Sequence, residues 1–285
     1  MSTVLKKPIP ISIASPKQNH LLAALPAPDY ARLLPYLELI PMPLGWVMRE
    51  SGSTMHHVYF PTTSIVSLLY VMEDGASGES AVTGDEGLIG IPLLTGGGSA
   101  LSLAVVQSAG HGYRLRESVL QREFALGGEL QHLALRFTQA LITQMSQTAV
   151  CNRHHTLDQQ LCRWLLMRLD RLPDNELVIT QELIANMLGV RREGVTEAAG
   201  KLHQQGMINY SRGHITVVDR PKLEQRVCEC YAVVKDEYDR LLPSPATVTD
   251  IPARQMNMKP GKVAAIHQSP GFFSPRVNNG SGLRN

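Results

Sequence analysis

The side chains with the plainest chemical use lie between Thr180 and Arg212. Arg191, Arg192 and Glu193 follow directly on a Gly-Val pair, and Thr196, Glu197 and Lys201 come after them at steps that keep one helix face. An arginine near the start of an exposed helix can give two parallel hydrogen bonds to guanine O6 and N7, worth about 1–3 kcal/mol of discrimination, and a glutamate can accept from cytosine N4. Arg191, Arg192 and Glu193 are therefore candidate readers of base edges. Thr180 and Gln181 offer hydroxyl, amide and backbone N–H donors at a helix start, which suits a phosphate oxygen and carries no base information. Thr196, Lys201 and Arg212 complete the expected phosphate contacts.

The surrounding residues must hold these groups in place. Thr180 can cap a helix whose apolar face is Leu183, Ile184, Met187 and Leu188, and Gly189 can turn the chain with positive φ at little cost. A second helix then buries Val195, Ala198, Ala199 and Leu202, small enough for a close crossing, and ends at Gly206. Met207 to Tyr210 and His214 to Val218 alternate as a hairpin around Ser211, Arg212 and Gly213, with Arg212 at the tip. Two short helices joined by a glycine turn and followed by a hairpin predict a winged helix-turn-helix over residues 177–219.

Upstream, Thr156 is a plausible N-cap for a helix carrying Leu157, Leu161, Trp164, Leu165 and Leu169, with Trp164 in the core. From Glu129, Leu130, Leu133, Phe137, Ala140 or Leu141, Met145 and Thr148 recur at three- and four-residue intervals. That stripe predicts a long helix pairing with its copy in a second subunit, packing on the preceding β-domain being the alternative. Between Leu44 and Arg116, runs at Val58–Phe60, Ile65–Met72, Ala81–Val82, Leu101–Val106 and Gly112–Leu115 are broken by Gly, Pro and Asp, as in a small sandwich or barrel. A helix over Pro28–Leu37 precedes them. The expected domains are 19–125 (β-sensor), 126–150 (dimerisation helix) and 151–242 (DNA-binding), with disordered segments at 1–18 and 243–285.

Composition limits the alternatives. The apolar share of 44% in 285 residues supports two ordinary cores. No apolar run of about 18 residues and no leader pattern occur, so a cytoplasmic protein is expected. The formal charge is +2, but residues 1–20 hold three lysines and no acid, and 243–285 hold five basic groups and one aspartate; this leaves 19 basic against 24 acidic groups in 21–242. Charge therefore does not argue for a DNA binder, and a sensor module whose winged helix contacts protein is the competing reading. The tail bases Arg254, Lys259, Lys262, Arg276 and Arg284 can add phosphate attraction. Cys151, Cys162, Cys228 and Cys230 form no CxxC pair, and His154 and His155 show no accompanying ligand spacing, so no metal is expected. No catalytic motif suggests an enzyme.

The run Leu188-Gly189-Val190-Arg191-Arg192-Glu193, with Val195-Thr196 behind it, resembles the Crp/Fnr family of regulators, and the resemblance extends over about residues 19–242. It implies an α+β chain: an N-terminal β-jelly-roll like a cyclic-nucleotide-binding domain, a long dimerisation helix and a C-terminal winged helix-turn-helix. It further implies a homodimer on double-stranded DNA with a palindromic operator, and RNA polymerase as a partner. By position, Arg192 and Glu193 would read bases, and a third reading position falls on Glu197. The effector loop of such proteins corresponds to Gly84, Asp85, Glu86 and Gly87. No arginine stands between Arg49 and Arg114 to meet a cyclic phosphate, so cyclic AMP is not expected and the effector is unknown. No cysteine precedes Cys151, which excludes an N-terminal iron–sulfur ligand set, and haem on His56 or His57 is not expected.

Overall fold

A computed structural model describes residues 15–172, 175–211 and 213–243. The expectations for residues 1–14 and 244–285, the tail bases included, and for Arg212 lie outside these residues. Order begins earlier than expected: Ser15 caps a 3-10 turn over Pro16–Gln18, and Asn19 caps α1 (His20–Ala23) by accepting from Leu21 N and Leu22 N. α2 (Ala27–Leu33) and a 3-10 turn (Leu34–Tyr36) occupy the expected helical stretch.

Seven strands follow: β1 (Glu38–Met42), β2 (Val47–Arg49), β3 (His57–Pro61), β4 (Ile65–Val71), β5 (Ser77–Thr83), β6 (Leu103–Ser108) and β7 (Gly110–Arg116), with α3 (Ile91–Leu94) between β5 and β6. They divide into two antiparallel sheets, ordered β1-β7-β3 and β2-β6-β4-β5. Met42, Val58, Phe60 and Leu115 from the first sheet and Ile65, Val66, Ala104 and Val106 from the second share one core. β1 and β2 were not predicted; Pro41, Pro43 and Gly45 interrupt their pattern.

α4 (Glu117–Ala125) leads into α5 (Glu129–His154), 26 residues long. The stripe expected to face a second subunit is turned inward. Leu130, Leu133, Phe137 and Leu141 are buried within this chain and Met145 is half-buried. The reason is a helix that the sequence reading missed, α10 (Cys230–Leu241), which returns from the C-terminal elements and packs with β5 against α5. Gln144 ties the three together: its Oε1 accepts from Val82 N at 2.6 Å, and its Nε2 lies 2.7 Å from Tyr238 Oη. Leu135, Ile142 and Val150, each half exposed, mark the opposite face of α5.

α6 (Leu157–Leu169) starts at Thr156 as predicted, and the cap is a capping box in which Thr156 and Gln159 are bonded reciprocally. Beyond it lie β8 (Glu176–Val178), α7 (Gln181–Leu188), α8 (Arg192–Gln204), β9 (Ile208–Ser211), β10 (His214–Val217) and α9 (Arg220–Arg226). Arg168 of α6 carries the connection back to the sandwich. Its guanidinium is buried, pairs with Glu79 of β5, and stacks 3.4 Å from the Trp164 ring.

Candidate nucleic-acid interface

α7 and α8 cross on apolar and small side chains. Ile184, Ala185, Met187 and Leu188 of the first helix and Val195, Ala198, Ala199 and Leu202 of the second are all buried. Gly194 is the point where α8 meets α6: a β-carbon there would lie 2.8 Å from Leu157 Cδ2. The Thr180 hydroxyl accepts from Leu183 N at 3.2 Å, capping α7. Gly189, at φ 66° and ψ 35°, reverses the chain in the left-handed region. The sheet behind them runs β8-β10-β9, with His214 opposite Ser211 and Val217 opposite Ile208 in the hairpin. β8 is an addition to the predicted hairpin, and Glu176 Oε1 on it lies 2.7 Å from His214 Nδ1.

This frame presents the first turn of α8. Arg191, Arg192 and Glu193 are exposed there, and no hydrogen bond or ion pair engages their side chains among the described residues. The next polar positions start from intrachain partners. Thr196 donates to Gln181 Oε1 at 2.7 Å and also lies 3.1 Å from Arg192 O, which joins α7 to α8 and leaves the Gln181 amide nitrogen as the outward donor. Glu197 pairs with Lys201 at 2.8 Å, and Lys201 also reaches Asp158 at 3.9 Å. Glu197, then Asp158, hold the Lys201 ammonium above the usual lysine range. Thr180 is exposed and Gln181 half-buried at the start of α7.

The expected effector loop is built differently. Asp85 and Glu86, with Asp170, Arg171, Tyr231 and Tyr238, line a cavity of about 570 Å³ between the sandwich, α6 and α10. Gly84 and Gly87 are crowded by the turn after α6 and by α5: β-carbons there would fall 3.0 Å from Arg171 Cβ and 2.1 Å from Phe137 Cε2. Glu86 accepts from Arg171 Nε at 2.8 Å. Burial, with the neighbouring charge of Glu86, pushes the Asp85 carboxyl up to about 6 against the opposing pull of His20 and Arg171. The two glycines thus make room for Arg171 and Phe137, and the cation near Glu86 arrives from the turn after α6, far along the sequence.

The expectation that His155 has no ligand neighbours is also overturned. Cys151, His155, Cys228 and Cys230 converge where α5 ends and α10 begins, their ligand atoms all within 4.8 Å of one another. A Cys-x3-His step at the end of a helix and a Cys-x-Cys step before the next are the sequence signals for it.

Residues 159–226 match the Crp-like helix-turn-helix domain family. No curated protein matches the chain. Its fold is similar to that of a Crp/Fnr-family transcriptional regulator from Eubacterium rectale, at TM-score 0.58 and 16% identity, covering 71% of this chain and 94% of that one. It is similar to FixK2 from Bradyrhizobium japonicum, at TM-score 0.57 and 16% identity, covering 67% of this chain and 98% of that one. A Crp-family transcriptional regulator from Thermus thermophilus, TTHB099, gives TM-score 0.57 and 16% identity, covering 66% and 95% respectively.

Proposed function

We propose that this chain, whose helix-turn-helix domain and fold are of the Crp/Fnr type, regulates transcription as a homodimer on a palindromic DNA operator. The observation that carries the reading is the free first turn of α8, where Arg191, Arg192 and Glu193 stand exposed without intrachain partners among the described residues. Arg192 and Glu193 read bases, and Arg191 reaches a base edge or the adjoining backbone. Thr180 and Gln181 position the domain on phosphate. Glu197 and Lys201 must exchange their mutual ion pair for DNA contacts, so Glu197 reads a base only where a donor on that base replaces the ammonium.

In this reading the second subunit packs on the outer face of α5. Leu135, Ile142 and Ala149 repeat every seven residues, with Thr138 and Met145 between them, and all but Thr138 and Met145 are exposed. A seam of this period suits parallel pairing of two helices. Met145 is the one residue of the predicted stripe that also borders this face.

The effector is not a cyclic nucleotide in this reading. The glycines of the 84–87 loop are filled by Phe137 and Arg171, and Arg49 spends its guanidinium on Ser102, donating to its carbonyl at 2.8 and 3.0 Å. The protein acts in the cytoplasm and contacts RNA polymerase; among the described residues no helix is long and apolar enough to cross a membrane. A gel-shift against a random DNA pool at two salt concentrations tests the proposal. Selective binding that weakens steeply with salt is expected, and absence of any selective binding overturns it.

A further inference from the structure

We propose that Cys151, His155, Cys228 and Cys230 form a tetrahedral site for a single thiophilic divalent cation, Zn²⁺, which fastens the end of α5 to the start of α10. Four donors at zinc–ligand lengths of about 2.0–2.3 Å around one tetrahedral ion stand roughly 3.5–3.8 Å apart. The Cys151 and Cys228 sulfurs are 3.6 Å apart, and Cys230 Sγ lies 3.6 Å from His155 Nδ1. Three thiolates and one imidazole are a closed structural set, with no place left for water or substrate.

The histidine is already oriented as a ligand. Its Nε2 faces Glu229 Oε2 at 3.3 Å, so the proton belongs on Nε2 and the Nδ1 lone pair points at the three sulfurs. Gln160 fixes the backbone beneath, donating to His155 O at 2.9 Å. All three cysteines are buried, so the cluster is closed off from solvent. Loading one Zn²⁺ releases three thiol protons and leaves a cage of net charge −1.

Arg163 supplies the opposite charge. It is buried, bonded to Thr148 Oγ1 at 3.1 Å, and its Nε has no partner. No carboxylate pairs with it among the described residues, and it lies near enough to Cys151 and Cys230 to interact with charge on them. A lone buried guanidinium is costly unless something anionic lies beside it, and the loaded cage is that anion.

The full chain, reduced and stripped of metal, is titrated anaerobically with Co²⁺. The expected result is one ion per chain, with the intense visible ligand-field bands of tetrahedral cobalt and a near-ultraviolet thiolate charge-transfer band, both abolished by Zn²⁺. Cys228→Ser should reduce the charge-transfer intensity by about a third and loosen binding. Glu229→Gln, which leaves every ligand in place, should weaken affinity by about 10–100-fold. Zn²⁺ should raise the melting temperature of the wild-type chain. The proposal is overturned if wild-type protein gives no tetrahedral bands, if the bands survive unchanged in both Cys228→Ser and Cys230→Ser, or if Cys151 and Cys228 are found joined as a disulfide that excludes metal.

Discussion

Gly87 and Phe137 meet so closely that a β-carbon on the glycine would fall 2.1 Å from Cε2 of the ring. The ring is fully buried in the middle of α5, and the glycine lies in the loop after β5. Gly87→Ala should therefore destabilise the chain by about 1–3 kcal/mol through overpacking, read as a lower urea midpoint. An unchanged midpoint would mean that the loop and the helix are not in contact.

The buried pair of Glu79 and Arg168 links β5 to α6. Removing only the carboxylate leaves an uncompensated buried cation, so Glu79→Ala should cost about 3–5 kcal/mol of unfolding free energy. The joint replacement Glu79→Leu with Arg168→Met should recover most of that loss, because neither charge is then buried. Equal losses in the single and double variants would show that the position, and not the pairing, matters.

Asp85 gives a pH dependence of defined sign. Its folded value is about 6 against an ordinary 3.8, chiefly from burial. The folded chain thus binds this proton more tightly than the unfolded chain, and the contribution of Asp85 to stability falls as pH rises between these two values. Asp85→Asn should raise the melting temperature relative to wild type more at pH 7 than at pH 5. A difference that is flat across that window would place the carboxyl in water.

The outer face of α5 makes a separate claim about assembly. Ile142→Glu puts a charge on an exposed site, 51% open in the single chain, and should leave the protomer folded. Across a two-fold seam the same change sets like charges against each other, so sedimentation should shift from dimer to monomer. A Leu133→Ala change, on the buried face, should lower stability by about 2–5 kcal/mol without that selective effect. Dimers persisting in Ile142→Glu would move the interface elsewhere.

Much of the helix-turn-helix was legible because its signals are local. Thr180, Gly189 and Thr156 each act on residues within four positions, and the structure uses them as the sequence suggests. The stripe on α5 was legible as a buried face, but periodicity does not say what covers a face; α10, whose approach fixes the answer, lies over 75 residues further on. The same distance hid the cysteine cluster, since Cys151 and Cys228 are 77 positions apart. The neighbours of Gly84 and Gly87 were hidden by sequence distance too. The loop matched by resemblance to an effector loop packs its glycines against Arg171 and Phe137.

Base reading by Arg192 is tested by selecting bound sequences from random DNA, run in parallel on wild type and Arg192→Ala. A dimer of this fold should enrich a palindrome whose half-sites lie about 34–36 Å apart. Arg192→Ala should lose preference at one symmetric pair of positions, with a cost of about 1–3 kcal/mol for each contact. Absence of any enriched motif, or a motif identical in the two proteins, would contradict base reading by Arg192.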